Sequence, residues 1–315
     1  MSESGIDHLL SHFGKRSKSV TVINPSTGSP SFELPQFSAE ETKAVIDAAR
    51  AAAKPWAEAP VRERARVLLG IHDLMLEHQH QLLDLLQFET GKARSHAFED
   101  FAGALNGALH YGKIAPKRLK TKRVSGMAPI LLRNTVEFVP VGVIGVITPW
   151  NYPLALTGLD VFPALAAGNA VVQKIDNQTA LSALYLRDLA VKAGLPESAW
   201  TIVAGDGAEV GNAITDNVDY VAFTGSTATG RLVAQRAAAR LIGFSLELGG
   251  KNPMIVLPGA NMKKAAGLAL AGGSGNSGQL CVSVERLYVP AELELDFVTE
   301  LRRQLGELKV GRGAD

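Results

Sequence analysis

The second half of the chain carries the pattern that most restricts its fold. From Gly142 onward, six short runs rich in β-branched residues follow one another: GVIGVIT, AVVQK, TIVAG, DYVAF, IGFSLEL and PMIVL. Ala- and Leu-rich segments long enough for helices separate them. Strands joined by helical crossovers lie parallel with helices on both faces, so the pattern predicts an α/β fold with a doubly wound parallel sheet. Ligands of such sheets bind beyond the carboxyl ends of the strands, which makes the residues just after each run the first candidates for function.

At about 150 residues per domain, 315 residues make roughly two domains. With 32 basic and 31 acidic side chains the net charge is +1, too little positive field to hold a phosphate backbone, so no nucleic acid partner is expected. The single Cys excludes an internal disulfide and a four-thiolate zinc site, and it fits a reducing compartment. The first 20 residues contain no signal-peptide apolar core. The longest apolar runs, such as Val141 to Thr148, fall far short of the roughly 20 residues that span a bilayer. A cytoplasmic chain without a membrane partner is the expectation.

The N-terminal part reads as mostly helical. Ser38 and Glu41 have the spacing of a capping box, and Val45, Ala48, Ala49 and Ala52 continue a helix until Pro55. Val67 to Leu86 predicts a second helix ending near Gly91, and Phe98 to Ile114 a third. Ile130 to Leu132 and Thr135 to Phe138 flank Arg133 and Asn134, predicting a protruding hairpin over about 129–139.

Several segments can carry chemistry, each with a plainer alternative. Gly225, Ser226 and Gly230 follow DYVAF and precede a helix; small residues there admit a phosphate to free N–H groups, or simply shape a turn. The run is not GxGxxG. Cys281 ends GSGNSGQLC, where the small residues leave a thiolate open to attack a substrate, although a lone Cys is usually a small buried hydrophobe. Glu247, after a strand and before two glycines, is a general base if partly buried, or else a solvated strand end. Asn151, in TPWNYP, can donate to an oxyanion, but alone it reads as a turn former. Lys174 can reach ribose or phosphate, or just snorkel. No metal site is expected: His78 and His80, two residues apart, cannot share an ion and read as surface residues.

Together, PWNYP, Lys174, FTGST, ELGGKNP and GQLC occur in the order found in the aldehyde dehydrogenase superfamily, which the chain resembles from about Asn24 to Asp315. The resemblance implies oxidation of an aldehyde to a carboxylate. It casts Cys281 as nucleophile, Asn151 and the Cys281 N–H as oxyanion donors, and Glu247 as the base that activates water. Within the superfamily, KIDN at 174–177, FTGSTATGR and CVSVER look most like bacterial succinate-semialdehyde dehydrogenases.

The resemblance further implies that Lys174, Ile175, Asp176 and Asn177 line the adenine ribose, Gly225 and Ser226 the pyrophosphate, and Trp150, Asn151 and Leu248 the nicotinamide side. Many NAD-preferring relatives carry a Glu where this chain has Asn177. An amide there removes a charge that repels a 2′-phosphate, so NADP is expected, with NAD second; Asp176 works against this. The expected domains are a cofactor-binding domain at 1–248 and the first part of a second α/β catalytic domain at 249–315. Few residues follow Cys281 compared with relatives, so the chain reads as truncated, its full-length form a homodimer or homotetramer. The alternative is a catalytically silent cofactor-binding or interaction fragment.

Overall fold

The computed structural model describes residues 3–127 and 132–311. The chain opens with α1 (Glu3–Leu10) and an antiparallel pair, β1 (Lys18–Ile23) and β2 (Pro30–Gln36). The capping box forms as expected: Ser38 Oγ accepts from Glu41 N–H, the Glu41 carboxylate accepts from Ser38 N–H, and α2 (Ala39–Ala52) follows. Pro55 does not merely stop that helix, because it sits in the first turn of α3 (Lys54–Glu58), where its missing N–H costs nothing.

The expected single helix over 67–86 is two, α4 (Val61–Glu77) and α5 (Gln79–Thr90), broken at His78. The break lets α5 bury Leu82, Leu83, Leu85 and Leu86. Gly91 ends α5 in the left-handed conformation, and α6 (Arg94–Arg118) packs back against α4 and α5. The hairpin expected over 129–139 is displaced. β3 (Lys122–Val124) pairs antiparallel with β4 (Asn134–Val136), and Leu132 lies in neither strand. Residues 128–131, which include Ile130, lie outside the described set.

Beyond Gly142 the chain alternates as expected: β5 (Val143–Ile147), α7 (Pro153–Ala166), β6 (Ala170–Lys174), α8 (Ala180–Lys192), β7 (Trp200–Val203), α9 (Gly207–Asn217), β8 (Tyr220–Gly225), α10 (Thr227–Ala239) and β9 (Gly243–Leu248). The five strands form one parallel sheet in the order β7-β6-β5-β8-β9. The chain therefore builds outward from β5 in one direction and then returns to its other side, and that reversal opens a crevice at the carboxyl ends of β5 and β8. Gly145 in β5 permits close packing of α9: a Cβ there would lie 2.4 Å from Ile214 Cγ2. The buried Gln173 amide is paired on both sides: its Nε2 donates to Thr148 and Thr157 hydroxyls at 3.0 and 2.6 Å, and Trp200 Nε1 donates to its Oε1 at 3.1 Å.

PMIVL does not join this sheet. It forms β10 (Asn252–Ile255), which pairs in parallel with β11 (Val284–Tyr288) across the intervening α11 (Met262–Ser274); α12 (Glu294–Gly306) packs on α11. Only four residues, GGKN, separate IGFSLEL from PMIVL, too few for the crossover that a next parallel strand requires. Val256, Ala265, Ala266, Ala269 and Phe297 form a second, smaller core apart from the main one.

Candidate active site

A cleft of about 450 Å³ lies at the reversal point of the sheet. The ends of β5 and β8 supply Ile147, Thr148, Phe223, Thr224 and Gly225; Pro149 and Trp150 follow β5, and Lys174 and Asp176 flank the end of β6. The first turns of α9 and α10 contribute Gly207, Ala208 and Thr229, so the positive ends of both helices lie at the opening. A Cβ on Gly225 would lie 2.6 Å from the Phe223 ring, so glycine is required there.

Two polar groups in the cleft wall are poorly satisfied. Thr224 Oγ1 is buried with no hydrogen-bond partner among the described residues. Lys174 is 7% exposed, and its Nζ donates to the carbonyl of Ile175 at 3.1 Å. Burial pushes its ammonium below the ordinary lysine range, while Asp176 and Asp206 pull it back up. A nucleotide with ribose hydroxyls and phosphates has the acceptors that this wall lacks, so the residues fit such a group.

The expected cofactor residues divide. Trp150, Lys174, Asp176 and Gly225 line the cleft. Ile175 is instead a core residue, 1% exposed. The Asn177 side chain is engaged elsewhere, its Nδ2 donating to Gln36 Oε1 and its Oδ1 accepting from Gly205 N–H, both at 3.1 Å. Ser226 caps α10 by accepting from Thr229 N–H at 3.2 Å. Leu248 packs where α10 comes close at Gly230. Gly207 and Ala208 also line the cleft just beyond the strand run TIVAG, at a strand end that no motif marks.

Cys281 is a free, exposed thiol in the loop before β11. That loop is unusual: Asn276 and Ser277 have φ of 49° and 58°, and Gly278 follows at 76°. Asn276 is buried, and its Nδ2 donates to the carbonyls of both Asn151 and Gln279 at 3.3 Å. Asn151 Nδ2 donates to Gln279 O at 3.0 Å, and Asn252 Nδ2 donates to Cys281 O at 2.6 Å. The segment carrying Asn151 and the segment carrying Cys281 are thus joined by side-chain amides, although over a hundred residues separate them.

Glu247 is exposed rather than partly buried, because β9 is an edge strand. It pairs in register with Thr224 on β8, beside the cleft. Its charge reaches Asp160 on α7, whose carboxyl is pushed up to about 6 by burial and then by Glu247. Asp160 carries no motif in the sequence and was missed there.

Of the two histidines expected at the surface, His80 is exposed and His78 is not fully so. His78 is half-buried, its Nδ1 2.8 Å from the Tyr185 hydroxyl. His8 and His12 on successive turns face Asp188 of α8, with Nε2 to carboxylate distances of 3.5 and 2.6 Å. Arg187 Nη1 lies 3.4 Å from His12 Nδ1 and 3.9 Å from Asp188 Oδ1, so a cation already occupies this cluster, which ties the N-terminal helix to α8. Among the described residues no helix is long and apolar enough to cross a membrane.

Comparison with known proteins agrees with this geometry. A Mycobacterium tuberculosis (strain H37Rv) protein provisionally named succinate-semialdehyde dehydrogenase (NADP+) 2 is 45% identical over 295 residues, covering 94% of this chain and 57% of its own length. The crystal structure of succinate-semialdehyde dehydrogenase from Burkholderia pseudomallei superposes with a TM-score of 0.91 at 35% identity, covering 95% of this chain and 62% of that one. Betaine aldehyde dehydrogenase from Staphylococcus aureus in complex with NAD+ gives 0.91 at 29% identity, with 99% and 65% covered. The chain therefore spans about three fifths of the length of these relatives. The aldehyde dehydrogenase family model matches residues 13–315, and the chain belongs to that family.

Proposed function

We propose that this chain carries the nucleophile, oxyanion donor, base and nucleotide cleft of an enzyme that oxidises succinate semialdehyde to succinate with NADP, NAD being the second choice. The observation that carries the reading is the tie between Asn151, which follows Trp150 of the cleft wall, and the carbonyl of Gln279, two residues before the exposed Cys281.

The Cys281 thiolate adds to the aldehyde carbon, forming a C–S bond and placing negative charge on the former carbonyl oxygen. Asn151 Nδ2 has two N–H donors; one serves Gln279 and the other is available to that oxygen, together with the Cys281 N–H. When bound, the nicotinamide nucleotide supplies the two-electron acceptor that turns this thiohemiacetal into a thioester. Glu247 then takes a proton from water, the resulting hydroxide attacks the thioester carbon, and the C–S bond breaks to return the thiolate and release the acid. Lys174 is assigned to the adenine ribose and its phosphate, and Gly225 with the first turns of α9 and α10 to the pyrophosphate.

The name of the mycobacterial relative supports both the substrate and NADP. The two separate cores support a division into a cofactor-binding part up to 248 and a catalytic part from 249. Val124, Val136 and Phe138, exposed on and beside the β3–β4 pair, suit contact with a second copy of the chain.

The test is incubation of the full chain with succinate semialdehyde and either nucleotide. Reduced cofactor should form with NADP and vanish in Cys281→Ala. Nucleotide binding without reduced-cofactor formation gives the second reading, a cofactor-binding chain without turnover.

A further inference from the structure

Beneath the Asn151 turn lies a buried ion pair that the scheme above does not use. Lys92 follows the α5 C-cap and Asp100 lies on α6; their side chains are 1% and 0% exposed. Lys92 Nζ is 3.1 Å from Asp100 Oδ2, donates to the main-chain carbonyl of Asn151 at 2.6 Å, and sits 4.1 Å from the centroid of the Tyr152 ring. Asp100 Oδ1 accepts from the N–H of Ala155 at 2.7 Å. The pair therefore grips the backbone on both sides of Tyr152 and Pro153.

Stability does not account for this arrangement. Removing two charges from water costs several kcal/mol per ion, and well-packed apolar groups often serve a fold as well or better. Burial pushes the Asp100 carboxyl up to about 6 and the Lys92 ammonium down, each opposed by the partner's charge. What the pair achieves is geometric. A carbonyl held by an ammonium fixes the plane of the peptide after Asn151, and that plane sets the direction of the Asn151 side chain. Asn276 Nδ2 approaches the same carbonyl at 3.3 Å from the cysteine loop, so the gripped oxygen is also where the two loops meet. Asn151 Oδ1 is buried without a partner among the described residues, so hydrogen bonds to its own oxygen do not hold this amide in place.

We propose that the Lys92–Asp100 pair is the positioning device that aims the Asn151 amide at the oxygen of a carbonyl bound to Cys281. This rests on the nucleophile and donor roles given above. Neither residue touches substrate; both act through the Asn151 main chain.

Two reactions of the same thiol separate positioning from general structural damage. Alkylation by iodoacetamide forms an S–C bond as iodide leaves and builds no charge on a carbonyl oxygen. Acylation by p-nitrophenyl acetate, run without nucleotide, forms an S–C bond through an oxyanion before p-nitrophenolate departs. Lys92→Met alone strands a buried carboxylate and endangers folding, so the informative variant is Lys92→Met/Asp100→Asn, which removes both charges together. It should melt cooperatively, be alkylated at the wild-type rate, and be acylated on the order of 10²-fold more slowly, the loss seen when an oxyanion donor is removed. Equal acylation by variant and wild type overturns the proposal alone. A parallel fall in both reactions overturns it too, by showing a structural role. A wild-type chain that is alkylated but never acylated fails the parent reading, and the proposal falls with it.

Discussion

Thr224 and Glu247 are register partners on adjacent parallel strands, one lining the cleft and the other standing exposed at the sheet edge. The pairing puts the proposed base one strand away from the turn assigned above to the pyrophosphate, open to water. In Glu247→Gln the first half of the reaction should survive: one equivalent of reduced cofactor forms in a burst, and steady turnover then drops on the order of 10²-fold or more. Rapid-mixing measurement of the burst, followed by the steady rate, checks this. Undiminished steady turnover would remove Glu247 from the base role.

Among the described residues the buried Lys174 ammonium donates to a single carbonyl, that of Ile175. Lys174→Met should weaken NADP binding by roughly 10- to 100-fold, the worth of a lost charge-assisted bond, and weaken NAD binding less. Calorimetric titration with both nucleotides reads the difference. An equal loss for both assigns the ammonium to the ribose hydroxyls, and a strong NAD preference in the wild type overturns the NADP assignment. Asp176 faces the same cleft and opposes a 2′-phosphate, so Asp176→Asn should shift preference further toward NADP.

Glu89 gives the fold a pH dependence. It is sealed between α5 and the first turn of α8, accepting from the N–H groups of Leu181 and Ser182, and burial pushes its carboxyl up to about 7 from an ordinary 4.5. Between those values the unfolded chain releases the proton while the folded chain keeps it. Stability from this group is therefore present at the acid end and is lost as pH rises through the window, by roughly 3 kcal/mol at most. Urea midpoints of wild type and Glu89→Gln across pH 4 to 8 should converge or cross as pH rises. A constant difference would show that Glu89 titrates alike in both states.

Ser277 holds φ of 58° without being glycine, directly after Asn276 at 49°. Such a conformation strains an L-residue by about 1 kcal/mol. Ser277→Gly should raise the urea midpoint of the chain, whereas Asn276→Gly should lower it, because Asn276 also donates to Asn151 and Gln279. Two changes of the same sign would contradict the strain argument.

What the sequence revealed follows from how local each signal is. Ser38 and Glu41 form their cap from residues three apart, and the strand runs from Gly142 carry their own β-branched signature. GQLC and ELGGKNP announced themselves as motifs. The Lys92 to Asn151 bond joins residues 59 apart, and no periodicity encodes it. β11, with the sequence VERLY, is too charged to read as a strand until β10 lies beside it. His78 broke a helix whose apolar spacing runs through the break without interruption, and its partner Tyr185 is 107 residues away. Asn177 looked like a specificity residue because its motif position suggested one, yet contacts from Gln36 and Gly205 direct its side chain elsewhere.

The small core around Val256, Ala266 and Phe297 buries few large side chains and does not merge with the sheet's core. A unit of that size has a low free energy of local opening, set apart from the global transition. Amide protons of β10 and β11 should thus trade with solvent deuterium well before those of β5 and β6. The thiol, riding on the looser lobe, is then joined to the firm body by the amides of Asn151 and Asn276, two clasps across the divide, while Asn252 ties its loop to β10 within the yielding part.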